Sequence, residues 1–244
     1  MADAPLPRRA LAEFLGSAFL AATVVGSGIA AARLSPGDTG LQLLENAVAT
    51  AAGLATFILM FGPISGAHFN PAVSLVDVAL GRRGGRDLLV YVPAQVAGCI
   101  VGTIAANAMF GLAAVSISTA HRASPPHLFA EAIATLGLLL LIFSLARTDR
   151  SRLAPAAVGA YIGAAYFFTS STSFANPAID VGRAFSDTFA GIAPASVPAF
   201  VGAQLVGAVA ALGLVAVLYP LGWAHGQVPR RASGGADLRG ADPG

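Results

Sequence analysis

Charge is scarce in this sequence, lysine is absent and cysteine occurs once. Charged residues make up 11% of the 244 residues and hydrophobic residues 56%, whereas a soluble domain has about 25% charged residues. A soluble protein with a large core needs helices with polar faces, and this composition cannot supply them. The single cysteine, Cys99, cannot form an intrachain disulfide, so no oxidised framework is expected.

Groups that carry out catalysis or bind metals are equally sparse. The four histidines are scattered at positions 68, 121, 127 and 225. We find no pairing of a nucleophile with a base and no cluster of metal ligands. We therefore expect no enzymatic activity, no cofactor and no metal site.

Long apolar runs dominate the chain instead. Runs of about 18 or more apolar residues with few charges are typical of membrane-spanning helices. We predict six, at approximately 10–32, 42–61, 88–112, 128–146, 154–170 and 196–220. Two further apolar stretches, 71–80 and 177–185, are too short to span. The sequence thus predicts an all-α membrane protein whose membrane domain covers residues 10–222, between disordered ends at 1–9 and 223–244.

The basic residues, all of them arginine, are unevenly distributed between the predicted loops. One set of loops and both termini hold Arg8, Arg9, Arg82, Arg83, Arg86, Arg147, Arg150, Arg152, Arg230, Arg231 and Arg239. The other loops hold Arg33 and Arg122, and Arg183 lies in the second short segment. The positive-inside rule then places both termini in the cytoplasm. Because no aromatic residues are interleaved with these arginines, we expect no nucleic-acid partner.

Three sequence elements occur twice in the same order. The longest copies are "SGAHFNPAVSLVD" at 65–77 and "STSFANPAIDVGR" at 171–183. Before them stand "AEFLGS" (12–17) and "AEAIAT" (130–135), and after them "AQVAG" (94–98) and "AQLVG" (203–207). Each half, about 10–112 and 128–222, holds three spanning helices. Because three is an odd number, the halves have opposite orientations in the membrane, as in an inverted repeat.

Each Asn-Pro-Ala triplet, Asn70-Pro71-Ala72 and Asn176-Pro177-Ala178, predicts the start of a short helix. Asparagine caps a helix, and proline fits the first turn, where its missing N–H is not needed. The two half-helices dip to mid-membrane, where the inversion brings their N-termini together. Non-helical backbone at that depth must be buried in protein or line water. We expect residues 62–69 and 169–175 to be such backbone.

Two acids, Glu13 and Glu131, lie inside apolar helices at repeat-related positions. A carboxylate there is costly unless it has partners. We expect each to accept hydrogen bonds from the loop backbone behind a half-helix. A proton-relay carboxylate of a coupled transporter is the alternative.

The twin Asn-Pro-Ala triplets, the "SGAHFNPAVSL" context and the two helix glutamates resemble the aquaporin, or major intrinsic protein, family over about residues 8–222. The resemblance implies the aquaporin fold, with six transmembrane helices and two re-entrant half-helices. It implies a homotetramer in the inner (plasma) membrane with one pore per subunit, in contact with lipid and passing water or small neutral solutes. Asn70 and Asn176 would offer amide donors to a passing oxygen.

The family pattern also implies a four-residue selectivity filter. Thr50, Ser173 and a residue of the fifth helix are three members. Counting along that helix gives Tyr166, whereas counting back from Asn176 gives Ala164; we favour Tyr166. The fourth position, usually arginine in the family, is Ile179 here. A less charged filter favours a wide pore for glycerol, urea or neutral metalloid hydroxides such as arsenous acid.

Three further residues are candidates for the pore or its vestibules. His68 precedes Asn70 by two positions and either faces the pore or packs in the core. Asp180 matches an aspartate of glycerol-conducting family members. Arg183 either reaches the outer vestibule or pairs with Asp187 or a lipid phosphate.

These features favour a passive channel that excludes protons and ions. A strict water channel, an ion-coupled transporter on a similar inverted repeat, and a tetrameric scaffold with a closed pore are the alternatives.

The arginine distribution generates a topological prediction. A Ser233→Cys variant should react with a membrane-impermeant thiol reagent only after the cells are opened, because the tail lies in the cytoplasm. The same cells labelled after detergent lysis give the maximal signal. Labelling of intact cells to that level would contradict the predicted orientation.

Overall fold

The computed structural model describes residues 4–220, which form eight α-helices. They are α1 (Leu6–Leu34), α2 (Thr39–Ser65), α3 (Pro71–Ala79), α4 (Gly85–Met109), α5 (Pro125–Arg147), α6 (Ala154–Phe168), α7 (Pro177–Arg183) and α8 (Val197–Leu218). Short 3₁₀ turns at Ser151–Leu153 and Pro194–Ser196 precede α6 and α8. No β-strand occurs within 4–220.

Five helices of this part of the chain are long and apolar enough to cross a membrane: α1, α2, α4, α5 and α8 with its preceding turn. The predicted fifth span corresponds to α6, which has only 15 residues. At about 1.5 Å per residue it rises about 22 Å. The 3₁₀ turn before it adds about 6 Å, which brings this element close to the thickness of a hydrocarbon core. The short predicted segments become the half-helices α3 and α7.

The chain ends differ from the expectation. Helix α1 begins at Leu6, so the prediction that residues 1–9 are disordered is wrong for 6–9. Pro7 fits the first turn, and Arg9 donates two hydrogen bonds to the Asp87 carboxylate, at 2.8 and 3.0 Å. The end of the predicted membrane domain and the tail, with Arg230, Arg231, Arg239 and Ser233, lie outside the described residues.

Helices of the two repeats pack in corresponding pairs, because glycines let their backbones approach. Helix α1 packs against α4, as α5 packs against α8. A Cβ added at Gly98 of α4 would meet the carbonyl of Phe14, and one added at Gly207 of α8 would meet the carbonyl of Ala132. Phe14 and Ala132 occupy equivalent places in "AEFLGS" and "AEAIAT". Contacts between α2 and α6 join the halves.

The tightest of these contacts predicts a loss of stability. Gly102 of α4 faces the backbone of Ala18, so the methyl group of Gly102→Ala has no flexible neighbour to displace. We expect a loss of about 1–3 kcal/mol, measured as a lower thermal midpoint in detergent. Gly213→Ala in α8 is the control, because nothing lies within 4 Å of the added Cβ. Equal midpoints for the two variants would contradict this packing.

Candidate functional site

The two half-helices are each capped by their asparagine. Asn70 Oδ1 accepts from Ala72 N–H at 2.9 Å. Asn176 Oδ1 accepts from Ala178 N–H at 3.0 Å and from Ile179 N–H at 3.4 Å. Each capping side chain thereby satisfies an amide of the first turn that has no partner inside the helix.

The same asparagines connect the two halves. Asn70 Nδ2 donates to the Ala175 carbonyl at 2.7 Å, and Asn176 Nδ2 donates to the Phe69 carbonyl at 2.8 Å. Each half-helix is thus tied to the loop before the other. A side-chain amide has two N–H donors, so each asparagine keeps a second donor.

Glu13 is fully buried and gathers four donors of the first half. They are Ser65 Oγ at 2.6 Å, the amides of His68 at 3.0 Å and Phe69 at 2.7 Å, and Gln95 Nε2 at 2.8 Å. The carboxylate therefore joins α1, α4 and the loop that leads into α3.

Glu131 makes the same set of contacts in the second half. Its donors are Ser171 Oγ at 2.6 Å, the amides of Phe174 at 2.9 Å and Ala175 at 2.8 Å, and Gln204 Nε2 at 2.7 Å. With four donors and no exposed surface, each glutamate is placed to brace a loop rather than to relay protons along the cavity described below.

Four partners of the glutamates are functional residues that the sequence reasoning missed: Ser65, Ser171, Gln95 and Gln204. A signal existed, because the glutamines lie in the repeated "AQVAG" and "AQLVG" and both serines lie five positions before an Asn-Pro-Ala asparagine. Equal spacing in both halves would have found the serines, and the repeated local sequence would have found the glutamines.

The braced loops have an unusual backbone conformation. Ala67 and Phe69 have φ of 51° and 50°, and the equivalent Ser173 and Ala175 have φ of 52° and 46°. Left-handed backbone at a residue other than glycine costs about 1–3 kcal/mol and persists only where the surroundings hold it. The non-helical part of the first loop is 66–69, not 62–69 as predicted, because α2 continues to Ser65.

One cavity of about 720 Å³ runs past both asparagines. Among the predicted site residues, those on its wall are Thr50, His68, Asn70, Tyr166, Ser173, Asn176, Ile179 and Arg183. The two loops supply a polar side, while leucine, isoleucine and valine residues of α1, α2, α5 and α6 supply an apolar one. The cavity thus has one side with hydrogen-bonding groups and one side without them.

Of the two candidate filter residues of α6, Tyr166 lies on the cavity wall and Ala164 does not. Its hydroxyl lies 3.1 Å from Thr50 Oγ1, which joins α6 to α2. Ala164 is exposed on the outer face of α6. Helix register, rather than the length of the following loop, therefore decides which residue reaches the cavity.

Asp180 does not line the cavity, so the prediction of a pore or vestibule position is wrong. Its side chain is completely buried. Successive helix residues are rotated by about 100°, so Asp180 turns away when Ile179 faces the cavity. Arg183 follows Ile179 by four positions and shares its face.

Arg183 lies at the end of the cavity that the predicted topology places outside (the outer end), next to the ring of Phe174. Its Nε donates to the Ala190 carbonyl. The alternative pairing with Asp187 is wrong, because that carboxylate accepts from the amide and hydroxyl of Thr119 at 2.9 and 3.1 Å. With 3% of its surface exposed, Arg183 is also not placed to bind a lipid phosphate.

The opposite end of the cavity carries a charged network around Asp77. Arg82 Nε donates to its carboxylate at 2.8 Å, and Arg83 Nε lies 3.6 Å away. His68 Nε2 is 3.5 Å from the same carboxylate, while Nδ1 is 3.0 Å from Ser74 Oγ. His68 is thus both on the cavity wall and hydrogen-bonded in the core.

Comparisons with known proteins agree with this geometry. The family model for the major intrinsic proteins matches residues 2–187. The chain belongs to the major intrinsic protein family. Aquaglyceroporin AqpS of Rhizobium meliloti is 48% identical over 215 residues, covering 88% of this chain and 91% of that protein. Aquaporin NIP1-3 of Oryza sativa subsp. japonica is 34% identical and covers 72% of this chain and 63% of its own length.

A solved structure shares the fold. The X-ray structure of the aquaglyceroporin from Plasmodium falciparum aligns with a TM-score of 0.68, at 22% identity, over 86% of this chain and 96% of that one. The resemblance and the aquaporin fold predicted from the sequence are thereby confirmed. Major intrinsic proteins are passive channels, so this chain is a multi-pass membrane channel for water and small solutes and not an enzyme.

The glutamate contacts generate a prediction. Glu131→Gln replaces one acceptor oxygen with an NH₂ group that faces backbone amides, leaving a buried donor unsatisfied. We expect a loss of about 1–3 kcal/mol, seen as a lower thermal midpoint in detergent. Glu13→Gln should behave alike, because its contacts are equivalent.

Glu45→Gln is the matched control. Glu45 accepts only from Ser35 Oγ, at 2.7 Å, among the hydrogen bonds of residues 4–220. A midpoint shift as large as that of Glu131→Gln would mean that loss of charge, not loss of the loop contacts, is responsible.

Proposed function

We propose that this protein is a passive channel for small uncharged solutes wider than water, as well as for water itself. Glycerol, urea and neutral metalloid hydroxides such as arsenous acid are the candidate solutes, and protons and ions are excluded. The observation that carries the proposal is the cavity of about 720 Å³, which passes both asparagines and has Ile179 on its wall.

The side chains at the outer end of the cavity support the proposal that the pore is wide enough for such solutes. Thr50, Ser173 and Ile179 have small or uncharged side chains, and the Tyr166 hydroxyl is bonded to Thr50 along the wall. An isoleucine where the family pattern has arginine leaves that point without a bulky cation. The relative from Rhizobium meliloti is named as an aquaglyceroporin, in agreement with a pore for more than water.

Proton exclusion follows from the half-helices. Each helix N-terminus carries about half a positive charge, and α3 and α7 meet through the crossed asparagine contacts. The free N–H of each asparagine can bind the oxygen of a passing water, which then turns its own protons outward. Such a water breaks the proton wire, and the facing dipoles repel cations.

The cellular setting is part of the proposal. We infer a homotetramer in the inner (plasma) membrane, surrounded by lipid, with both termini in the cytoplasm. The arginine asymmetry supports the orientation, and large exposed apolar side chains such as Leu89, Phe129 and Val209 suit contact with lipid or neighbouring subunits.

The experiment is a flux panel in proteoliposomes. Water, glycerol, urea and arsenous acid are each driven by their own gradient, with empty vesicles as the baseline. We expect glycerol to permeate well above that baseline. Water flux alone would favour a strict water channel. Solute flux that collapses with a proton uncoupler would favour an ion-coupled transporter, and no flux at all a closed scaffold.

Ile179→Arg tests the outer end of the pore. The variant narrows the cavity and adds a fixed cation with five N–H donors. These donors replace hydrogen bonds that a water molecule loses on entering the pore, but a larger solute is still hindered by the reduced width. We expect glycerol permeability to fall far more than water permeability in the same vesicles. The neighbouring Arg183 repels the new guanidinium, so the test is repeated with Arg183→Ala.

Ile179→Leu is the control, because it keeps the size and the neutrality of the side chain. Proportional loss of glycerol and water by Ile179→Arg in both backgrounds would contradict the permissive pore.

A further inference from the structure

Two arginines lie against one aromatic ring at the outer end of the cavity. The Arg183 guanidinium carbon is 3.4 Å from the centroid of Phe174, and that of Arg122 is 5.3 Å from it. Both distances are within the about 6 Å at which a cation is attracted by a ring face. The ring is in turn packed edge-on against Phe200, at 5.3 Å between centroids.

The same two arginines hold three consecutive carbonyls of one loop. Arg183 Nε donates to Ala190, while Arg122 donates through Nε to Gly191 at 2.7 Å and through a terminal nitrogen to Phe189 at 3.1 Å. These partners are neutral, so the contacts fix the positions of the guanidinium groups without cancelling their charge.

Neither guanidinium forms an ion pair with a carboxylate of residues 4–220. The three acids of this region are otherwise placed: Asp187 accepts from Thr119, Glu131 accepts from its own loop, and Asp180 is buried away from the cavity. No acid therefore pairs directly with either guanidinium, and Asp180 and Glu131 act on Arg183 only through space.

Only one of the two cations reaches the cavity. Arg183 is on the wall together with Phe174 and Tyr166, whereas Arg122 is not. A guanidinium has five donor N–H groups, and the bond to Ala190 uses one of them. The remaining groups are available to a solute in the cavity.

The other end of the cavity, which the repeat relates to this one, carries an acid where this end carries an arginine. Asp77 and His68 stand at the places that Arg183 and Phe174 occupy, seven after and two before the asparagine of each half. There the arginines have a carboxylate partner, because Arg82 and Arg83 both approach Asp77. At the Arg183 end, by contrast, the guanidinium on the cavity wall has no carboxylate in direct contact within residues 4–220.

We propose that Arg183 is the specificity-determining cation of this pore, with Phe174 and Arg122 as its positioning residues. Its guanidinium repels cations at the outer end and donates hydrogen bonds to neutral solutes, while Ile179 leaves the cavity wide. The inference rests on the proposed channel function and names the group that sets its charge selectivity.

The test compares ion leak with water flux in the full-length protein. Arg183→Gln keeps an amide donor for Ala190 but removes the charge. We expect sodium permeability relative to water to rise about tenfold, because one fixed charge has been removed from a poorly solvated path. Arg183→Lys should stay ion-tight but pass glycerol less well, because lysine keeps the charge and loses the planar set of donors.

Arg150→Gln is the matched control, because Arg150 is exposed and is absent from the cavity wall. It should leave both fluxes unchanged. An ion-tight Arg183→Gln with normal water flux would overturn the proposal. So would an Arg183→Lys that leaks as much as Arg183→Gln, because charge would then not be the cause.

Phe174→Leu provides a second variant should Arg183→Gln fail to fold, since it keeps both arginines and their carbonyl bonds. Loss of the ring should release the guanidinium and raise the sodium-to-water ratio above that of the unaltered protein. An unchanged ratio would overturn the positioning role and, with it, the proposal. Absence of any flux through the unaltered protein would instead refute the proposed function.

Discussion

The structure depends on two buried carboxylates. Glu13 and Glu131 each collect two backbone amides, one serine hydroxyl and one glutamine amide, and so hold a loop that would not keep its shape alone. The left-handed residues of these loops cost free energy, and the hydrogen bonds to a charged acceptor offset that cost. The caps, the crossed asparagine contacts and the direction of each half-helix all follow from this arrangement.

Because the repeat is inverted, two copies of one loop and half-helix together line a single continuous cavity. A single loop and half-helix reaches only to mid-depth, and its N-terminus would face lipid. With the second copy inverted, Asn70 and Asn176 each find a carbonyl in the opposite loop, at 2.7 and 2.8 Å. The glycines at the α1–α4 and α5–α8 contacts let these helices pack closely around this centre. The close helix packing and the crossed asparagine hydrogen bonds thus both depend on the inverted repeat.

Sequence patterns predicted most of this architecture because they recur. The spans, the half-helices and the two glutamates follow from hydropathy and repeat spacing. The cavity positions of Ile179 and Tyr166 follow from the resemblance to the family, with helix register deciding for Tyr166. Asp180 shows the limit: a family correspondence placed it at the pore, whereas the roughly 100° between adjacent helix residues turns it into the core. Arg122 could not be found from sequence, because its contact with Phe174 joins residues of different loops that no repeat relates.

The two ends of the cavity show how a symmetric frame acquires an asymmetric field. Equivalent positions hold Asp77 at one end and Arg183 at the other. Asp77 is paired with neighbouring arginines, whereas Arg183 contacts one carbonyl and an aromatic ring. A carbonyl or an aromatic face orients a cation while leaving its charge in place, unlike a carboxylate, which would cancel it. A cation held one helical turn away from Ile179 can still repel an ion in the pore, because Coulomb energy falls only as the inverse of distance. Width is a short-range property and must be set at the constriction itself. With the roles proposed for Ile179 and Arg183, their separation on one face of α7 would let size selectivity and charge selectivity vary independently.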